Sequence, residues 1–152
     1  MLKKLLFTLP LFIFSMAISL SSMGVDLNSL EITGMQTGNW KTETIATGPF
    51  GERKSNSERC IENSTINPLV EFAKNCEIIS ADKTKKGNNQ ILDWEMKCDS
   101  GSANAPEMQI KGHYETDGKK ANGKLTGEAN NKGEIYEINT TFISQHSGPC
   151  NI

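Results

Sequence analysis

Histidine is scarce here: His113 and His146 are the only two in a chain of 152 residues. It is the commonest general base near neutral pH and the commonest metal ligand, so its scarcity narrows the chemistry at once. His113 falls on the outward side of a strand pattern that carries Ile110 and Tyr114, the place of a solvated residue. His146 adjoins Ser147, and sequence neighbours make poor geometry for a base and its nucleophile. There is no G-x-S-x-G elbow and no H-E-x-x-H motif. The cysteines form no C-x-x-C pair, which removes the usual zinc and dithiol spacings. The residues call for no cofactor and no metal. Long apolar runs are also missing, apart from one near the N-terminus.

That run belongs to "MLKKLLFTLPLFIFSMAISLSSMG", which has the layout of a secretory signal peptide. Lys3 and Lys4 supply the positive start, and Leu5 to Ile18 form the apolar stretch. Small residues follow at Ser19, Ser21, Ser22 and Gly24. Cleavage is expected after Gly24, with Ala17 and Ser21 as the alternatives. A retained membrane anchor is the competing reading, but the stretch falls short of the roughly 18–20 residues that span a bilayer. No stable membrane span is then expected after cleavage. The expected location is periplasmic or secreted, and residues 25–37 read as a loose lead-in to a single β domain, 38–152.

Losing residues 1–24 removes two lysines and no acid, so the formal charge moves from −2 to −4. A mildly acidic chain with scattered lysines has no general attraction for nucleic acid phosphates. All four cysteines, Cys60, Cys76, Cys98 and Cys150, lie beyond the leader. An even count in an exported chain points to disulfides. Three pairings are open. Cys76 with Cys98 and Cys60 with Cys150 is preferred, because a hairpin centred near Gly87 sets Cys76 opposite Cys98. Cys60–Cys76 with Cys98–Cys150 is the alternative.

From Gly38 onward the apolar pattern has mostly period two, the mark of half-buried strands. "WKTETIAT" places Trp40, Thr42, Thr44 and Ala46 on one face. "GPFGE" is a turn, and "ERKSNSERCI" a polar return strand. "NPLVEFAKN" changes period: Asn67 caps and Pro68 begins a short helix that ends at Asn75. "ILDWEMKC" has the cleanest alternation, with Leu92, Trp94, Met96 and Cys98 inward. "DKTKKGNNQ" and "DGKKANG" read as turns. "MQIKGHYETD", "KLTGEA" and "EIYEINTTFISQH" complete a set of seven or eight strands. The fold expected is all-β, or mainly β with one short helix: an antiparallel sheet curled into a sandwich or barrel and stabilised by disulfides.

The inward list is thin in large aliphatics. Trp40, Trp94, Tyr114, Tyr136 and Phe142 therefore read as core, or as the lining of an apolar pocket if the sheet encloses one. Asp93 and Glu95 share the opposite face and could serve a glycosidase, although a solubilising surface explains them as well. The glycine-rich "GKKANGKLTGEANNKG" lies between strands and lacks the helix N-terminus of a phosphate cradle. Ile45, Ile79, Ile91, Ile135 and Ile143 all face outward and would make an interaction patch if they were contiguous.

The order of these landmarks resembles a bacterial exported family, domain of unknown function 3617. The matching positions are Gly38, Trp40, Cys60, Cys76, Trp94, Cys98, Gly112, Tyr114, Gly148 and Cys150. The resemblance implies a fold and a compartment but no catalytic residues. The expected function is a non-enzymatic binding domain, monomeric, for a small apolar ligand or an envelope protein. A cell-envelope glycan hydrolase and a structural accessory protein without a ligand are the alternatives.

Overall fold

The computed structural model of the chain describes residues 25–70, 76–99 and 107–150. Its strands are β1 (Gly38–Gly48), β2 (Gly51–Ile61), β3 (Cys76–Lys86), β4 (Asn89–Cys98), β5 (Glu107–Thr116), β6 (Lys120–Asn131) and β7 (Glu134–Gly148). All seven join one antiparallel sheet in the order β2-β1-β7-β6-β5-β4-β3. The antiparallel, disulfide-clipped β architecture read from the sequence therefore holds. The sheet is open: β2 and β3, consecutive in the chain, form its two edges. Among the described residues, what lies over its inner face is coil with one 3₁₀ turn, not a second sheet.

That coil comes from two stretches, residues 25–37 and 62–70. They join through a bridge between Ile32 and Ile66, with N–H···O distances of 2.7 and 2.8 Å. Met35 N donates to Ser64 O at 2.9 Å, and Asn67 Nδ2 to Leu27 O at 2.7 Å. Leu30, Ile32, Met35 and Leu69 are buried against Leu92, Trp94, Met96 and Tyr114. Residues 25–37, expected as a loose lead-in, are held here by these bonds and contacts. Their apolar side chains follow neither strand nor helix period, yet each reaches the core once residues 62–70 supply backbone partners. One 3₁₀ turn, Leu27–Leu30, begins this cover, with Asp26 accepting from Asn28 N at 3.0 Å.

The expected helix from Pro68 to Asn75 falls mostly outside the described residues. Its start is visible: Asn67 Oδ1 accepts from Leu69 N at 3.0 Å, which is an N-cap bond. Two glycines fit the large rings to the sheet. A Cβ on Gly112, which pairs with Trp94 across β4 and β5, would lie 2.0 Å from the indole. One on Gly123, which pairs with Phe142, would lie 2.1 Å from that ring. The aromatic of one strand lies across the bare backbone of the next, so a thin aliphatic set still closes a core.

Candidate functional site

Trp40, Trp94 and Tyr114 are buried, and Phe142 packs half-buried against them. Trp40 donates its indole N–H to Gln36 O at 2.8 Å and meets His146 edge-on, at a centroid separation of 6.0 Å. His146 Nε2 in turn lies 3.1 Å from Thr37 O, closing the start of β1 against the end of β7. Burial pushes the Tyr114 phenol up to about 12, a hydrogen bond with Thr116 opposing only part of that shift. Tyr136 is on the same face but beyond the cover, and its hydroxyl bonds the exposed Glu134 carboxylate, which holds its pKa above the usual value. Four of the five aromatics thus serve the core.

The outer face is polar. Asp93 Oδ1 and His113 Nδ1 lie 2.7 Å apart across β4 and β5, both well exposed. Glu95 shares this face and lines an open cleft of about 450 Å³ together with Lys111, Glu128, Glu137 and Asn139. Glu128 and Glu137 stand opposite each other on β6 and β7, and like charges so placed are mutually destabilising. Among the described residues no three His, Cys, Asp or Glu side chains gather as a metal-binding group. The isoleucines do not form the expected patch. Ile79, Ile135 and Ile143 are exposed while Ile45 and Ile91 are half-covered. Ile79 sits on the β3 edge, and Ile135 and Ile143 are eight positions apart on β7, about 26 Å along a strand.

The β1–β2 ribbon is different in kind. Every residue of β2 from Gly51 to Cys60 is exposed, on both faces. Its register on β1 runs without a shift from Gly38↔Ile61 to Gly48↔Gly51. Gly48 and Gly51 flank the two-residue Pro49-Phe50 turn and close it as a hydrogen-bonded pair. Alternation then turns the N–H and C=O groups of Glu52, Lys54, Asn56, Glu58 and Cys60 toward the free edge. The other edge, β3, carries a register shift between Ile78 and Ser80 and three lysines, Lys83, Lys85 and Lys86. Bulges and lysines are devices that discourage pairing.

Two further features mark the ribbon. Phe50 at its tip is 93% exposed, the most exposed large apolar side chain described. At the ribbon's other end, a cleft of about 480 Å³ opens between β2 and the crossing segment, with Ile61, Ile66, Pro68 and Val70 among its walls. On the outer face Lys41 and Asn39 both reach Glu58, at 3.3 and 3.1 Å. The Asn39 amide, and then Lys41, hold the Glu58 carboxyl below the usual carboxylate range. The sequence marked β2 as a strand with little to bury, and that signal led to the edge. Nothing in the sequence displayed the cleft, which needs the crossing segment in place.

Two disulfides pin the two halves: Cys76–Cys98 across β3 and β4, and Cys60–Cys150 between the end of β2 and the chain end. Among the described residues no helix is long and apolar enough to cross a membrane. No curated protein and no solved structure matches the chain. One family model does, over residues 35–150, and its description is "Protein of unknown function (DUF3617)". The match takes in the strands, both disulfides and the Gly38–Trp40 corner, and the chain belongs to this family.

Proposed function

We propose that this is an exported, non-enzymatic binding domain whose contact surface is the β1–β2 ribbon and whose partner is a protein of the cell envelope. The observation that carries the reading is the unpaired, bulge-free edge of β2 with Phe50 fully out in solvent beside it. Exposed edges and exposed aromatics are usually suppressed in a protein that stays alone. Export is supported by the two disulfides, which persist in oxidising compartments.

A small apolar ligand has less behind it, because four of the five aromatics that would line its pocket are spent on the core. Glycan hydrolysis through Asp93 and Glu95 also has less support. A raised catalytic carboxyl needs an enclosed setting, whereas Asp93 is exposed and paired with His113.

The test is capture from envelope extracts by the tagged protein and by two variants, Phe50→Ser and Asn56→Pro. The proline removes an edge-facing N–H that β1 does not use. Both variants are expected to keep native circular dichroism and lose the captured protein. Equal capture by all three would overturn the reading. A hydrophobic dye that binds the native protein and quenches its tryptophans would instead favour the apolar ligand.

A further inference from the structure

We infer that the ribbon's best-matched contact is a second copy of this chain, joined edge to edge through β2 in a two-fold dimer. The inference rests on the ribbon being the contact surface of an exported domain; it takes the envelope protein seated there to be this chain itself and specifies the register.

A two-fold axis perpendicular to the sheet keeps the inner and outer faces aligned across the join. Opposed residues must then be of equal parity, since a one-residue slip moves a side chain to the other face. The edge-facing groups of Glu52, Lys54, Asn56, Glu58 and Cys60 supply the main-chain bonds. With the axis on Asn56, Lys54 of each copy stands opposite Glu58 of the other, two complementary pairs on the outer face. Move the axis to Ser55 and Glu52 meets Glu58; move it to Ser57 and Glu52 meets Glu62. Opposite charges directly across a strand pair stabilise and like charges do the reverse, so the Asn56 register is selected. Ser55, Asn56 and Ser57 at the centre are small enough to let the edges meet. The one like-charge opposition in this register is Arg53 with Arg59 on the inner face, where both are exposed and screened by solvent.

The charges alone fix this register, and it has a consequence that they do not contain. It sets Phe50 of one copy opposite Glu62 of the other, beside the cleft walled by Ile61, Ile66, Pro68 and Val70. An exposed ring at one end of the ribbon and an open cleft at the other come together twice around the axis. A buried aromatic anchor in a pocket, ringed by polar contacts, is how small interfaces gain affinity. The interface is isologous and closes on itself, so it ends at a dimer.

The test is sedimentation velocity of the oxidised full chain over a concentration series. The wild type is expected to dimerise in the micromolar range. Lys54→Glu alone and Glu58→Lys alone each set like charges opposite one another and should weaken association by about tenfold or more. An equimolar mixture of the two variants restores both pairs and should dimerise as tightly as the wild type. Phe50→Ser should also cost about tenfold or more with the circular dichroism unchanged. A wild type still monomeric near 1 mM overturns the inference, as does a mixture no tighter than its components. If the wild type is monomeric while Phe50→Ser still loses an envelope protein, the dimer falls and the ribbon's contact role stands.

Discussion

Strands β2 and β4 are nearly the same length, 11 and 10 residues, yet they lie at opposite extremes of burial. Strand β4 buries Leu92, Trp94, Met96 and Cys98 beneath the coil cover, while β2 leaves both of its faces in water. Strand β4 is paired on both sides, with a register shift against β3, and β2 on one side only, but main-chain pairing does not by itself bury side chains. What differs is whether anything lies over the sheet. The cover gives β3, β4 and β5 a second layer and reaches Trp40 at the start of β1, while β2 from Gly51 to Cys60 has none. Stability is therefore concentrated in one half and contact surface in the other.

The largest expected effect checks whether the ribbon nevertheless unfolds with the rest. Replacing Cys60 and Cys150 by serine opens a link between residues 90 apart and is expected to cost about 4–5 kcal/mol by loop entropy. The same change at Cys76 and Cys98, 22 apart, should cost about 3–4 kcal/mol. Denaturant unfolding of both double variants measures this. A loss under about 1 kcal/mol for the first pair would make the ribbon an independent unit. Exposure predicts the order of reduction in the native protein: Cys60 is open to solvent and Cys98 is buried. Mass spectrometry after a mild thiol pulse should find Cys60 and Cys150 labelled first.

Gly112→Ala comes next, with a loss of about 3 kcal/mol, because its methyl would overlap the Trp94 ring. A change under about 0.5 kcal/mol would mean that the indole can lift away, and that the covered half is less tightly packed than its geometry indicates. Tyr114 gives a pH-dependent counterpart. Its phenol stays protonated in the fold up to about 12, while in the unfolded chain it ionises near 10. The unfolded state therefore loses its proton first, and stability falls from about pH 10 to about pH 12, by about 2–3 kcal/mol in all. Tyr114→Phe should remove this alkaline loss, and an unchanged pH profile would assign it elsewhere. The smallest effect is expected on the ribbon: Ser57→Ala should stay within about 0.5 kcal/mol of wild type.

The same contrast explains what could be read from the sequence. The alternation of Leu92, Trp94 and Met96 was plain because those side chains are large and the intervening Asp93 and Glu95 are charged. In the sequence β6 shows as little more than "KLTGEA", yet it spans Lys120–Asn131. Its early inward positions are Ala121 and Gly123, too small to register as a hydrophobic period. The cover is hidden from local pattern for a related reason. Ile32, Met35 and Gln36 are held by backbone hydrogen bonds with Ile66, Ser64 and Gly118 far along the chain, and no local pattern encodes such partners. Of the site, the polar character of β2 was legible. The accessible edge and the cleft depend on sheet order, which follows from where the crossing segment delivers β3.

The nesting of the disulfides bears on how the chain is made. The cysteines are synthesised in the order 60, 76, 98, 150, but Cys60 pairs with the last of them and encloses the Cys76–Cys98 link. An oxidant that joins thiols as they appear would first meet Cys60 and Cys76. The native pattern is reached if the β3–β4 hairpin captures Cys76 with Cys98 early, or by thiol–disulfide exchange later. Cys60 must in either case wait for the C-terminal strand, because β7 fills the gap between β1 and β6. Synthesis through β7 to Cys150 thus becomes a condition for sealing the fold, and a product that stops before Cys150 retains an unpaired thiol that thiol-based quality control can detect.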